Sequence, residues 1–428
     1  MKPHIRHGYL FGRSLLQGVG SERVGAAVLL LMMICTAGTL RAVEHTQTPI
    51  KEEDPTGAGS RSKAVKDMNT AELERTNPVY GDPDNRQRID RIKQLMAAAA
   101  DLTGEEVKAL ERRLKNNPKD LVTRIRLIGC YCKSGQGQEG DDGSSRKASR
   151  KASRKLVLGI IDHHPRSELA GAAYTLLPGD ESMGMDDGYW AEGAKKWVKL
   201  TKANSSDPVI LGNAGTYLNV GSLSRVITLF ERACQLDPGN PKWARLLGEH
   251  YLMHARLPQT PQEQRPVVAQ KALDYLEKAN QLIGEPNSAS VRYVDYCIFE
   301  QLAIAAFTAN APGQAKINAR KMLQSASQIK DTWNYGNVLH TMNIILGRIA
   351  LREGDVDGAK RHLMEAANPG SSQLNFSPDA ELARELLDKG ESKVVIQYVD
   401  LCRTLSKYGC PKIDRLRAEI ERTVPPGR

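Results

Sequence analysis

Apolar residues recur every three or four positions from about Asn85 to the C-terminus, the period that predicts helices with one buried face. Ile89, Ile92, Leu95 and Met96 open the series. A second helix starts at Thr103, where Glu106 completes a capping box; Val107, Leu110 and Leu114 form its apolar face and Pro118 closes it. The last helix spans Cys410–Thr423, with Ile413, Leu416 and Ile420 on one side, and is placed to cap the end. Two stretches depart from this period. Val24–Leu40 is 17 uncharged, mostly apolar residues behind a basic flank. Thr46–Ser62 is polar, rich in Pro and Gly and without apolar period, which predicts a disordered linker over residues 43–84.

The helical segments repeat. Asp207–Asn240 reads as an apolar helix, a turn at Gly221, a second helix and a stop at Pro238. Ala214 and Tyr217 share one face of the first helix; Val226, Phe230 and Ala233 share one face of the second. Counting from Leu346-Gly347, residues Ala350, Gly354, Ala359, Leu363 and Ala366 fall at the same offsets. From Leu382-Ala383 the series is Leu386, Gly390, Val395, Val399 and Cys402. Leu247-Gly248 and Tyr251 open another copy, resumed at Ala272, Leu276 and Ala279 after an insertion. Leu127, Tyr131 and Gly135 open an earlier one. Small residues such as Gly347, Ala359 and Ala366 let paired helices approach, and Tyr217 and Phe230 fill the gap to the next hairpin.

This spacing resembles the tetratricopeptide repeat, densely over 207–283 and 337–405 and poorly over 166–206. In Asp207–Asn240 the usual Leu-Gly pair is replaced by Asn213-Ala214. The resemblance implies an all-α fold: an α-solenoid of antiparallel helix hairpins over residues 85–424, wound as a right-handed superhelix of roughly six hairpins. It also implies a groove lined by first helices that binds a peptide or partner protein. Polar first-helix residues would make the contact, and Asn213, Asn219, Arg245, His250, Asn343 and Arg348 are the candidates.

Composition adds to this picture. Aromatic residues are 5% of the chain, which suits helices packed through Ala, Leu and Val. The net charge is +10, of which +4 lies in residues 1–42, leaving a mild excess over the rest. A basic flank, an apolar run and the Leu40-Arg41-Ala42 boundary describe a secretory signal over residues 1–42 or an uncleaved signal anchor. The protein is then exported, periplasmic or extracellular, or held in the inner membrane by one helix through residues 24–40. Of the seven cysteines, Cys130 and Cys132 point apart on a helix, while Cys234, Cys297 and Cys402 fall at apolar positions; a Cys402–Cys410 bridge stays open.

Sites for chemistry are few. His250 and His254 have metal-binding spacing, but Tyr251 stands where a metalloprotease motif has Glu, so they read as ordinary helix residues. His163-His164 precede Pro165 at a helix end, where a positive side chain suits the dipole. Arg146–Lys155 (RKASRKASRK) reads as a solvated basic insertion running into a helix, similar to a basophilic kinase target at Ser149 and Ser153 and without aromatic interleaving. Gly179–Gly188 (GDESMGMDDG) is an acidic loop lacking alternating calcium ligands. With no phosphate loop, nucleophile elbow or zinc Cys quartet, the expectation is a non-enzymatic scaffold or adaptor with no cofactor and no metal. A basic nucleic-acid-binding array, which so mild a charge and the lack of stacking aromatics argue against, and a non-catalytic subunit of an envelope enzyme complex remain as alternatives.

Overall fold

The computed structural model describes residues 83–136, 144–177, 189–219, 221–284, 293–326, 335–367, 378–405 and 411–423. The apolar run at 24–40, the linker at 43–84 up to residue 82, the acidic loop Gly179–Gly188 and Cys410 lie outside them. Among the described residues every regular element is helical. None of these helices is long and apolar enough to cross a membrane.

The chain divides into two compact units, Arg91–Leu229 and Phe230 onward, with Tyr80–Asp90 grouped with the second. The first unit holds α1 (Pro83–Ala99, from Arg91 on), α2 (Gly104–Asn116), α3 (Leu121–Gln136), α4 (Ser144–His163), α5 (Glu168–Gly171), a 3-10 turn (Ala173–Leu176), α6 (Tyr189–Ala203), α7 (Pro208–Leu218) and the start of α8 (Leu223–Leu236). Here α2 packs on α3, α3 on α4, α4 on α6 and α6 on α7. The second unit holds the rest of α8, then α9 (Pro241–Arg256), α10 (Arg265–Ile283), α11 (Tyr293–Thr308), α12 (Pro312–Ser325), α13 (Tyr335–Arg352), α14 (Val356–Ala366), α15 (Glu381–Leu387), α16 (Ser392–Leu405) and α17 (Pro411–Thr423). From α9 each helix packs on the next, and α9, α11, α13 and α15 also touch one another in turn. Each hairpin of the second unit thus covers the apolar face of its neighbour, as in stacked helical repeats.

Local chemistry sets the boundaries. Thr103 and Glu106 form the capping box at α2. The Asp207 carboxylate accepts the Val209 and Ile210 amides at α7, and Asn240 accepts that of Lys242 at α9. Proline stands in the first turn of α7, α9, α10 and α12. One turn recurs in the second unit. Gly354 and Gly390 adopt φ of 85°, and the next residue donates back across the helix end, Asp355 to Ala350 and Glu391 to Leu386. Asn310 takes the same role at φ 60°, with Ala311 donating to Ala306.

Glycine also sets helix separation. A Cβ on Gly347 would lie 2.4 Å from Leu382 Cδ2 and 3.1 Å from His362 Cβ; on Gly248 it would lie 2.7 Å from Leu276 Cγ. At Asn213-Ala214 the neighbour supplies the glycine: a Cβ on Gly171 would meet the Asn213 carbonyl oxygen at 3.0 Å. Tyr131 and Tyr251, each four residues past a leucine of the first helix, both donate to a glutamate 20 residues earlier, Glu111 and Glu231. At the far end Ile413, Leu416 and Ile420 of α17 are buried in one core with Leu386, Val395 and Tyr398.

Three expectations are corrected and one unassigned hairpin is added. Arg146–Lys155 lies wholly within α4, with Ser149 and Ser153 on its buried face and the Ser153 hydroxyl donating to the Arg150 carbonyl at 2.9 Å. The repeated four-residue unit (RKAS) puts both serines one turn apart, so both turn inward out of reach of a kinase. Gly135 sits inside α3, which continues to Gln136, rather than in a turn. The stretch between the two dense repeat regions holds the full α11–α12 hairpin, whose register is hidden because Asn310 replaces the turn glycine. Tyr217 fills space toward the preceding helices, its ring centroid 6.4 Å from both Trp190 and Trp197. Phe230, by contrast, does face the following helix, 5.0 Å from His250.

Gly390→Ala should lower unfolding stability by about 1–2 kcal/mol, the cost of a side chain in left-handed backbone, while Asn310→Gly should leave it unchanged or raise it slightly. Gly347→Ala should cost about 1–3 kcal/mol through overpacking against Leu382. Urea midpoints of the three variants at constant slope check all three.

Candidate functional site

The adjacent first helices of the second unit carry the most distinctive polar surface. Arg348 and Arg352 are one turn apart on α13, so they project to the same side. Phe307, half-buried in the last turn of α11, lies under both: the guanidinium carbons stand 5.1 and 4.6 Å from the ring centre. The next helix fixes one of the two. Arg348 Nε and Nη2 donate to Glu385 Oε1 of α15 at 2.9 and 2.6 Å. Arg352 is exposed and makes no ion pair among the described residues. An aromatic face flanked by one anchored and one unneutralised guanidinium favours a planar anion, since a guanidinium can bind both oxygens of a carboxylate at once.

Glu300 stands two turns before Phe307 on α11, half-buried. Burial pushes its carboxyl up to about 7, against the pull of Arg256 from α9. The same helix layer thus carries an acid that changes charge near neutrality.

The residues proposed from sequence do not assemble into one surface. Asn213 is buried on α7, where Nδ2 donates to the carbonyls of Pro165 and Ser167 at 3.0 and 2.8 Å and ties down the preceding turn. Asn219 caps α7 in helical backbone, half-buried. Both belong to the first unit and the other four to the second. His250 is buried against Phe230, and its Nδ1–H donates to the Leu246 carbonyl at 2.6 Å. Burial lowers its pKa, so the ring is neutral. Asn343 is buried, bonded to the Leu339 carbonyl at 3.0 Å and accepting from His362 Nδ1 at 2.9 Å. These three are internal because polar positions on a first helix also face the hairpin interior, where backbone carbonyls need donors. Arg245 is mostly covered, its side chain 11% exposed and 3.8 Å from Glu249, and Arg348 is part of the site above. Phe307, Arg352, Glu385 and Glu300 were missed. The first and last depended on placing α11, for which the αL-tolerant Asn310 was the available signal; pairing across helices has no sequence signal.

Other histidines are likewise structural. His340 on α13 is buried, its Nδ1–H donating to the Ala366 carbonyl at 3.0 Å and its Nε2 accepting the Asp379 amide at 3.0 Å. His163 ends α4, but burial and Arg124 lower its pKa, so it does not supply the positive charge expected at that helix end. Cys130, Cys132, Cys234 and Cys402 are buried. Among the described residues no group of three His, Cys, Asp or Glu is placed to hold a metal.

No family model matches this chain, and no curated protein does either. Among solved structures, the human IFIT1 dimer with PPP-AAAA overlaps at a TM-score of 0.38 and 13% identity, over 79% of this chain and 77% of that one. The APC/C hetero-tetramer Cut9–Hcn1 overlaps at a TM-score of 0.25 and 13% identity, over 94% and 84%. Overlaps this loose bear on neither family nor function.

Glu300 gives a signed pH dependence. Its folded pKa lies above the ordinary 4.5, so the native state holds the proton longer; stability from this group is present below 4.5 and lost as pH rises to about 7. Glu300→Gln should remove that slope and raise stability at neutral pH by on the order of 2–3 kcal/mol. Thermal melts of both proteins at pH 4, 5.5 and 7.5 provide the measurement.

Proposed function

We propose that this protein is a non-catalytic helical-repeat scaffold that binds an acidic peptide segment of a partner protein. The carrying observation is the Phe307–Arg348–Arg352 cluster on the first-helix layer, where one guanidinium is held by Glu385 and the other is left without a carboxylate. A peptide carboxylate would meet Arg352 and displace little, while its apolar neighbour would rest on the Phe307 ring. Arg245 and Glu249, on α9 of the same layer, are the further candidate contacts. Export or membrane anchoring belongs to this reading through the basic flank and apolar run at residues 24–40 alone.

Selection from a random peptide display library tests the binding surface. Wild type should enrich sequences with Asp, Glu or a free C-terminal carboxylate, and Arg348→Ala with Arg352→Ala should lose them. Loss of one charge-assisted bidentate contact weakens binding about 10- to 100-fold. If the double variant enriches the same peptides with the same affinity, this surface is not the site.

A further inference from the structure

The helical placement of Arg146–Lys155 gives its charges a geometry. Within α4, Lys147, Lys151 and Lys155 are exposed and one turn apart, forming a single stripe. On α6, Lys195, Lys199 and Lys202 are exposed in the same way. Two contacts fix how these helices lie. The Arg154 guanidinium stands 5.8 Å from the Tyr189 ring centre, and Lys196 Nζ pairs with Asp162 at 2.8 Å. Both contacts join residues about one repeat apart and run in the same order, so α4 and α6 lie side by side in one direction. The six exposed lysines follow one another over about 30 Å at 1.5 Å per residue.

Along α4 nothing neutralises the stripe. No acidic residue stands three or four positions from Lys147, Lys151 or Lys155, and the three are spaced to repel each other. None of the six pairs with a carboxylate among the described residues; Asp162 is taken by Lys196, and Glu192 is the remaining acid on either helix. Such a row is stabilised by an external anion with repeated charges.

Two polyanions could fit, and the neighbouring side chains favour one. A bilayer surface is gripped by helices that also expose Trp, Phe or Leu to the acyl boundary. Exposed residues beside these lysines include small ones, Ser144, Ala148, Ala191 and Ala203, and no large exposed apolar side chain lies on α4 or α6. Trp190 is packed on Tyr217 and against Gly221, which also removes it as a stacking platform. The stripe offers point charges in steps of about 6 Å and no group to read a base.

We infer that the α4–α6 lysine stripe binds the phosphodiester backbone of nucleic acid without sequence preference. This surface is independent of the Arg348–Arg352 cluster. Its length spans about nine base pairs at 3.4 Å per step.

Fluorescence anisotropy of the full chain with a labelled 20-base-pair duplex of mixed sequence tests it. With six phosphate contacts, affinity should fall roughly 10³-fold between 50 and 200 mM salt. The variant Lys147→Gln/Lys151→Gln/Lys155→Gln should reduce the slope of log affinity against log salt by about 3. Lys195→Gln/Lys199→Gln/Lys202→Gln should act alike, which keeps the test open if one variant misfolds. A control, Lys389→Gln/Lys393→Gln/Lys412→Gln, removes three exposed lysines from the second unit and should bind as wild type. The inference is overturned if the duplex is not bound, if the control weakens as much as the stripe variants, or if phosphatidylserine vesicles are bound and the duplex is not.

Discussion

Contact between helix backbones at glycine and alanine is the constraint on which the rest of this structure depends. Gly347 against Leu382 and His362, and Gly248 against Leu276 and Ala272, have no room for another methyl group. That closeness brings the apolar stripe of each helix into its neighbour and lets modest side chains build a continuous interior. The glycine can come from either side of a contact. Where α7 carries Ala214, Gly171 on α5 makes the space instead, so repeats can drift in sequence while the separation is kept.

Buried polar side chains have a second task in this architecture, fixing how one hairpin meets the next. Asn213 holds the turn before α5, and His340 joins the end of α14 to the entry of α15. Each satisfies backbone groups that would otherwise be stranded, and each is specific to one register. Polar first-helix positions therefore divide into two kinds. Those facing the hairpin interior hold the array together, while Arg348 and Arg352, near a helix end, lie over the Phe307 ring instead.

Charge is organised differently in the two units. In the second, cross-repeat pairs recur along the array: Lys316 with Glu353, Arg348 with Glu385, Lys360 with Glu391 and Arg384 with Glu419. Exposed pairs of this sort contribute little stability, and Arg352 is not among them. In the first unit α4 and α6 present lysines with hardly any acids among them.

The sequence by itself determined the helical period from about Asn85, the capping box at Thr103, the turns at Gly354 and Gly390 and the buried face of the final helix. These are local matters of period, caps and backbone conformation, written in neighbouring residues. It also marked Arg348 as a surface residue. Only the tertiary structure decided the rest. Whether Asn213, His250 or Asn343 faced a groove or a carbonyl depended on which helix lay beside it, and that partner is tens of residues away. The α11–α12 hairpin escaped notice because one Asn did the work of a glycine, and with it went Phe307 and Glu300. The basic run became a stripe only once α4 was seen to continue through it, since a helix turns sequence neighbours outward or inward in a way that composition does not record.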